Sequence, residues 1–431
     1  MFHLTRIFPS SFPTVICTAV YCAAASSDQT SSGQQIHDTI VIGGGVVGLA
    51  VGRELAVRGY SCLLLEKDHA ICTGASSGNS GIGCTGYDAP AGSLEQRLLR
   101  RSILRHPNLY RSLGLSYNHV NKCGALVVAW TKREAESLSH VIQENHQAGD
   151  LEARFVSQDE LREMEPALSQ DALAAVYVPR EMLTEPWLIP IAYANNFLLN
   201  GGTIRVNAEV TQAELVDASN SSNLNTEKHW KLTLRNGKVC RARTVINCAG
   251  LYGDLVDKMC VGSSTFNIHP RKGQFVVYSS KNTKAKRDEE GSGLQYIIQP
   301  VPTERTKGVI VWESVYGNLV VGPTAEEQLS RESRSNTEEV IDMLMTTGAR
   351  VLPELNKEDS DWEVVGTYSG IRPATNYRDY QIIDQVKEKN WITVGGIRST
   401  GLTCASGISE YVVNMFEGKE QPTTSNEILP P

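Results

Sequence analysis

Between Gly43 and Glu66 the residue types and their spacing are those a dinucleotide requires. Gly43, Gly45 and Gly48 stand in a G-x-G-x-x-G pattern. The first glycine permits a tight turn, the second lets the backbone approach a pyrophosphate, and the third allows close packing of helix on sheet. N–H groups at the start of the following helix, from Val46 and Val47 onward, are then free to meet phosphate oxygens. Glu66 lies at the spacing expected for a carboxylate that accepts from ribose hydroxyls, and Lys67 follows it. Gly43, Gly45, Val46, Val47, Gly48, Glu66 and Lys67 are therefore candidate cofactor contacts. This stretch alone suits NAD or FAD equally.

The elements around it must hold that turn in place. An apolar strand at 39–42 enters the turn, an amphipathic helix covers 49–60, and a second strand at 61–66 ends in the acid. A polar, glycine-rich loop follows at 72–81, whose hydroxyls and amides could line a phosphate-bearing cofactor. Helices are predicted at 93–109, 132–148 and 157–164, the last opened by Ser157-x-x-Glu160. Another begins at Glu185-Pro186-Trp187 and stops at Gly201-Gly202. Asn236-Gly237 between 230–234 and 238–243 reads as a hairpin turn, and 244–250 as a buried strand ending at Gly250. From His269 the pattern is strand-rich, with a helix at 338–352, before strands at 364–371, 381–383 and 391–394 and a last helix at 401–416.

The dinucleotide unit is thus interrupted by a strand-rich insertion and completed from the C-terminal side. The expected class is α/β: a Rossmann-like cofactor domain built from 37–120, 185–265 and 364–418, carrying a β-rich, α+β substrate domain from 121–184 and 266–363. Residues 1–36 are expected to be a targeting or disordered segment, and 419–431 a disordered tail.

Composition narrows the partners. A net charge of −7 gives no reason to expect nucleic acid. No window approaches the ~18 unbroken apolar residues of a membrane span, which leaves room only for a peripheral membrane contact. The 10 cysteines contain no C-x-x-C pair, which argues against a zinc site or an iron–sulfur cluster, and no metal is expected. The first 27 residues lack an acid, which suits a mitochondrial presequence, and carry Ala23-Ala24-Ala25, which would suit cleavage of a secretory signal. A mitochondrial address is the leading expectation, a secretory or cytoplasmic one the alternative.

Three stretches together resemble the FAD-dependent oxidoreductases of the D-amino-acid-oxidase-like superfamily. The first is the fingerprint followed by Ser76-Ser77-Gly78-Asn79-Ser80-Gly81. The second is Thr244-Val245-Ile246-Asn247-Cys248-Ala249-Gly250. The third joins Gly370-Ile371-Arg372-Pro373 to Gly395-Gly396-Ile397-Arg398-Ser399-Thr400-Gly401-Leu402-Thr403. Within that superfamily the chain looks most like the glycerol-3-phosphate dehydrogenase type, with the L-2-hydroxyglutarate dehydrogenases nearby.

The resemblance implies FAD as cofactor, with Ser77, Asn79, Ser80, Val210, Ala249, Gly250, Gly396, Gly401, Leu402 and Thr403 added to its contacts. It implies that Arg372 binds the substrate's anionic group, a task its planar fork suits. The expected reaction passes a hydride from a small anionic hydroxy substrate to flavin, and the electrons onward to a quinone, a carrier protein or oxygen. Alcohol oxidation needs a proton acceptor, for which His269 is the candidate, while Lys272 could hold a second anionic group. Oxidation of an amino acid or a methylamine on the same flavin is the competing chemistry. A flavin-binding protein without catalysis is the third reading. One departure is plain: where relatives commonly carry His after Ser-Gly-x-x, this chain has Cys84.

Overall fold

Ile36–Ile42 and Cys62–Leu65 are short, and almost every side chain near their paired ends is apolar, Ile-Val-Ile against Leu-Leu-Leu. A strand buried on both faces belongs in the centre of a parallel sheet. In the computed structural model these two pair in parallel, with Val41 opposite Leu64, and Val239–Asn247 lies parallel on the other side of Ile36–Ile42. The model describes residues 35–115, 120–121, 123–217, 228–282, 293–303, 308–386 and 390–421. Most of the expected leader and tail fall outside them, as does the stretch 218–227, which is rich in Ser and Asn.

The central strands belong to an eight-stranded sheet. Thr203–Arg205 pairs in parallel with Cys62–Leu65, and Trp391–Gly395 in parallel with Val239–Asn247. Three helices, Val46–Val57, Leu188–Leu199 and Gly401–Phe416, pack together against it around Leu49, Leu55, Phe197 and Ile408, each fully buried. The predicted hairpin at Asn236-Gly237 forms: Gly237 takes φ +80° between Lys228–Leu234 and Val239–Asn247, which pair antiparallel.

The second sheet has nine strands, mostly antiparallel. Its spine is a pair of long strands, Ile268–Ser280 and Trp362–Thr375, hydrogen-bonded from Ile268 opposite Thr375 to Ser280 opposite Trp362. The expected assignment of 364–375 to the cofactor domain differs from this pairing. Backbone hydrogen bonding ties that strand to the inserted sheet, and among its residues only 370–373 line the cleft next to the glycine turn. The overall class is the α/β arrangement expected, with a parallel Rossmann-like sheet and a β-rich insertion.

Candidate active site

The glycine turn is built by contacts that leave no room for a side chain. Gly43 takes φ +110°, and a Cβ there would lie 2.4 Å from the Cys248 carbonyl oxygen. At Gly48 a Cβ would meet the Gly43 oxygen at 2.0 Å, so Gly48 supports the turn from behind. Gly48 does not line the cavity in front of it. Around this turn, Val46 N–H donates to Ser76 Oγ at 3.0 Å, which ties the 72–81 loop to the helix start.

Glu66 accepts from the Gly44 N–H at 2.6 Å and from the Asp68 N–H at 2.9 Å. Burial pushes its pKa up, and those two N–H donors oppose the push. Its carboxylate thus already braces the turn, a structural task added to the expected ribose contact. Lys67 holds its ammonium 4.4 Å above the Tyr252 ring.

These residues open onto a cavity of about 980 Å³ between the two sheets. Gly43, Gly45, Val46, Val47, Glu66, Lys67, Asn79, Ser80, Val210, Ala249, Gly250, Gly396, Gly401 and Leu402 all line it. Ser77 and Thr403 do not. Ser77 Oγ turns to the Thr73 and Gly74 carbonyls, and Thr403 Oγ1 accepts from Cys84 N–H at 3.2 Å while its own carbonyl contacts His106 Nε2. Both sit beside residues that face the cavity, and backbone direction rather than spacing decides which neighbour points in.

A second cavity of about 1150 Å³ adjoins the first. Ser80, Pro323, Arg372, Arg398 and Ser399 line both, which places them at the junction. Arg372 gains its place from a glycine opposite: a Cβ on Gly273 would lie 2.4 Å from Arg372 Nη2. The guanidinium donates to the Thr324 carbonyl at 3.1 Å, and among the described residues no carboxylate lies in ion-pair range of it. Burial, and then repulsion from Arg271, bring its pKa down to about 10 against the pull of Glu327. It stays charged at neutral pH.

Arg398 is different. It adopts φ +48° and donates to Glu95 Oε2 at 2.8 Å, so its charge is already compensated.

The two other expected catalytic residues are not at the junction. His269 is exposed and lines neither cavity. Lys272 is buried, but its ammonium donates to the Ser335 carbonyl at 3.0 Å and lies 3.4 Å from Glu326. Side chains alternate along a strand, and Arg271 is the member of this run that faces the second cavity. Arg271, Arg398 and Ser76 are the site residues that motif reading passed over. Arg398 and Ser76 lay inside recognised motifs, yet nothing in the spacing marked them. Cys84 lines the second cavity.

The fit to FAD follows from this chain's own geometry. A glycine-built turn, the N–H of Val47, which has no intrahelical acceptor, and the start of helix Gly401–Phe416 all face one cavity. A dinucleotide cradle that opens onto a cationic chamber defines a nucleotide-dependent oxidoreductase. Residues 38–415 match the family described as DAO, FAD dependent oxidoreductase, and the chain belongs to that family.

Among curated proteins it is similar to a glycerol 3-phosphate dehydrogenase of Caloramator mitchellensis, 29% identical over 89% of this chain and 74% of that one. It is also similar to the mitochondrial L-2-hydroxyglutarate dehydrogenase of Bos taurus, 26% identical over 79% of this chain and 73% of that one. Among solved structures, dithionite-reduced L-α-glycerophosphate oxidase from Mycoplasma pneumoniae with FAD bound superimposes with a TM-score of 0.77. That match covers 90% of this chain and 97% of the other at 24% identity.

Proposed function

We propose that this FAD-dependent oxidoreductase oxidises the hydroxyl of a small anionic substrate, with glycerol 3-phosphate as first choice and L-2-hydroxyglutarate as second. The observation that carries the reading is Arg372: a guanidinium without a carboxylate partner among the described residues, at the junction of the two cavities. Leaving such a charge buried and uncompensated is costly, and an anionic substrate offsets that cost. The planar fork takes phosphate or carboxylate in two-point fashion, which orients the attached carbon chain toward the first cavity.

FAD, when bound, supplies the two-electron acceptor for the substrate carbon. The chain supplies the rest. The N-terminus of helix Gly401–Phe416 brings positive potential to the cavity wall. Arg372, which no carboxylate compensates among the described residues, favours the deprotonated form of a hydroxyl held near it, because a nearby cation lowers its pKa. Among the described residues no imidazole reaches that junction, since His269 is exposed and His140 lies out on helix Lys132–Gln147. The hydroxyl proton is therefore released to water from a site of positive potential.

Electrons then leave to a quinone, a carrier protein or oxygen. A mitochondrial address is part of the proposal, supported by the acid-free N-terminus and by the name of the bovine relative. A reporter fused behind residues 1–36 and found in the secretory pathway would refute it.

Anaerobic mixing tests the substrate. Glycerol 3-phosphate or L-2-hydroxyglutarate is expected to bleach the flavin absorbance. Bleaching by amino acids alone would move the protein to amine oxidation, the competing chemistry.

A further inference from the structure

Residues 328–336 form neither helix nor strand, yet they are tied at many points. From the inserted sheet, Lys272 donates to the Ser335 carbonyl at 3.0 Å, Ser369 Oγ to the Arg334 carbonyl at 2.8 Å, and Asn336 donates to Thr367 Oγ1 at 3.1 Å. Toward the cofactor sheet the segment reaches both walls of the 980 Å³ cavity. On one wall, Arg331 forks onto Asp254 and donates to the Leu251 carbonyl, while Tyr252 O–H donates to Glu332 at 2.8 Å. On the other, Arg334 donates to Thr73 O at 2.6 Å, Gly74 O at 3.0 Å and Ser77 Oγ at 3.0 Å. Arg331, Glu332 and Arg334 themselves line the cavity.

We propose that residues 328–336 are a clasp that crosses the cofactor cavity and holds FAD in place, with Arg334 as its releasable end. The two ends differ in how easily they part. Asp254 is 1% exposed, so losing Arg331 would strand a buried carboxylate. Arg334 is exposed and bonds only neutral acceptors, so it parts into water at a smaller penalty than Arg331 does. FAD entry and exit then require the Arg334 end to lift from the 73–77 loop. The buried Lys272, expected at the substrate, instead anchors the base of the clasp. The inference rests on the cofactor and is independent of which substrate is oxidised.

The test is the rate of FAD release from holoprotein, read as the rise in flavin fluorescence after dilution into an excess of a flavin scavenger. Arg334→Gln is expected to speed release at least about tenfold, the scale of a lost charged hydrogen bond, and Arg334→Lys to fall between. The thermal midpoint of the FAD-free protein should stay the same in both variants. Release that changes less than twofold would overturn the clasp. So would an equal fall in the midpoints of the FAD-free and FAD-loaded protein, which marks a purely structural role. Flavin that stays attached after denaturation would overturn it too, since covalent attachment makes a clasp superfluous. A colourless protein even with FAD supplied would instead sink the cofactor assignment.

Discussion

Arg372 keeps its charge where water is scarce, because Gly273 leaves space for the guanidinium and Thr324 gives it one carbonyl. Removing it should cost the bound anion about 2 kcal/mol or more, so Arg372→Ala is expected to raise KM by roughly thirtyfold or more. Steady-state kinetics with glycerol 3-phosphate check this, and an unchanged KM would remove Arg372 from the site. The pH dependence has a definite sign. Arg372 is charged below its pKa of about 10 and neutral above it, so affinity for an anion should fall as pH rises through that value in the free enzyme. Gly273→Ala should mimic part of the loss, since its Cβ would press on Arg372 Nη2. His269→Gln is expected to leave kcat within about twofold, as an exposed surface side chain should.

At the scale of elements, the two cavities exist because helices and strands cross at points without side chains. A Cβ on Gly78 would lie 2.3 Å from Gly370 Cα, where nothing flexible can give way. Gly78→Ala should therefore separate the 72–81 loop from strand Trp362–Thr375 and cost about 1–3 kcal/mol, seen as a lower thermal midpoint and weaker FAD retention.

Helices Leu94–Ser112 and Gly401–Phe416 meet at Gly407, whose N–H donates to Ser102 Oγ at 2.8 Å. Beside that crossing His106 is buried with Nε2 3.0 Å from the Thr403 carbonyl. Burial holds its pKa at about 4, below the ordinary value of 6.5. Between those two values the unfolded chain binds the extra proton and the folded one does not, so stability is lost as pH falls below about 6.5. Denaturation at pH 7 and pH 5 should show the drop, and His106→Gln should flatten it.

For the whole molecule, the cavity that fits FAD is lined by residues of both sheets, so FAD should act as a mortar for both. A ligand present at a thousand times its Kd stabilises the folded state by about 4 kcal/mol. Stripping FAD should accordingly lower the melting midpoint, and supplying it again should restore that midpoint. A midpoint insensitive to FAD would mean that the two sheets hold one another without it.

The sequence alone determined the local features. Three glycines at fixed spacing, apolar runs long enough for central strands and an acid at the strand end all depend on residues within about 25 positions of each other, where backbone geometry leaves few alternatives. The family's motifs also marked Arg372. Only the tertiary structure decided which side chains face the reaction chamber. Residues 269, 271 and 272 share one strand, and their faces depend on pairing with Trp362–Thr375, about a hundred positions away. That pairing put Arg271 beside the second cavity and left His269, two residues along on the same face, outside it and exposed. It also gave Lys272 to the segment 328–336, through the Ser335 carbonyl. Side-chain alternation sets relative facing within a strand, but the partner strand and the packed layers set which face is inside.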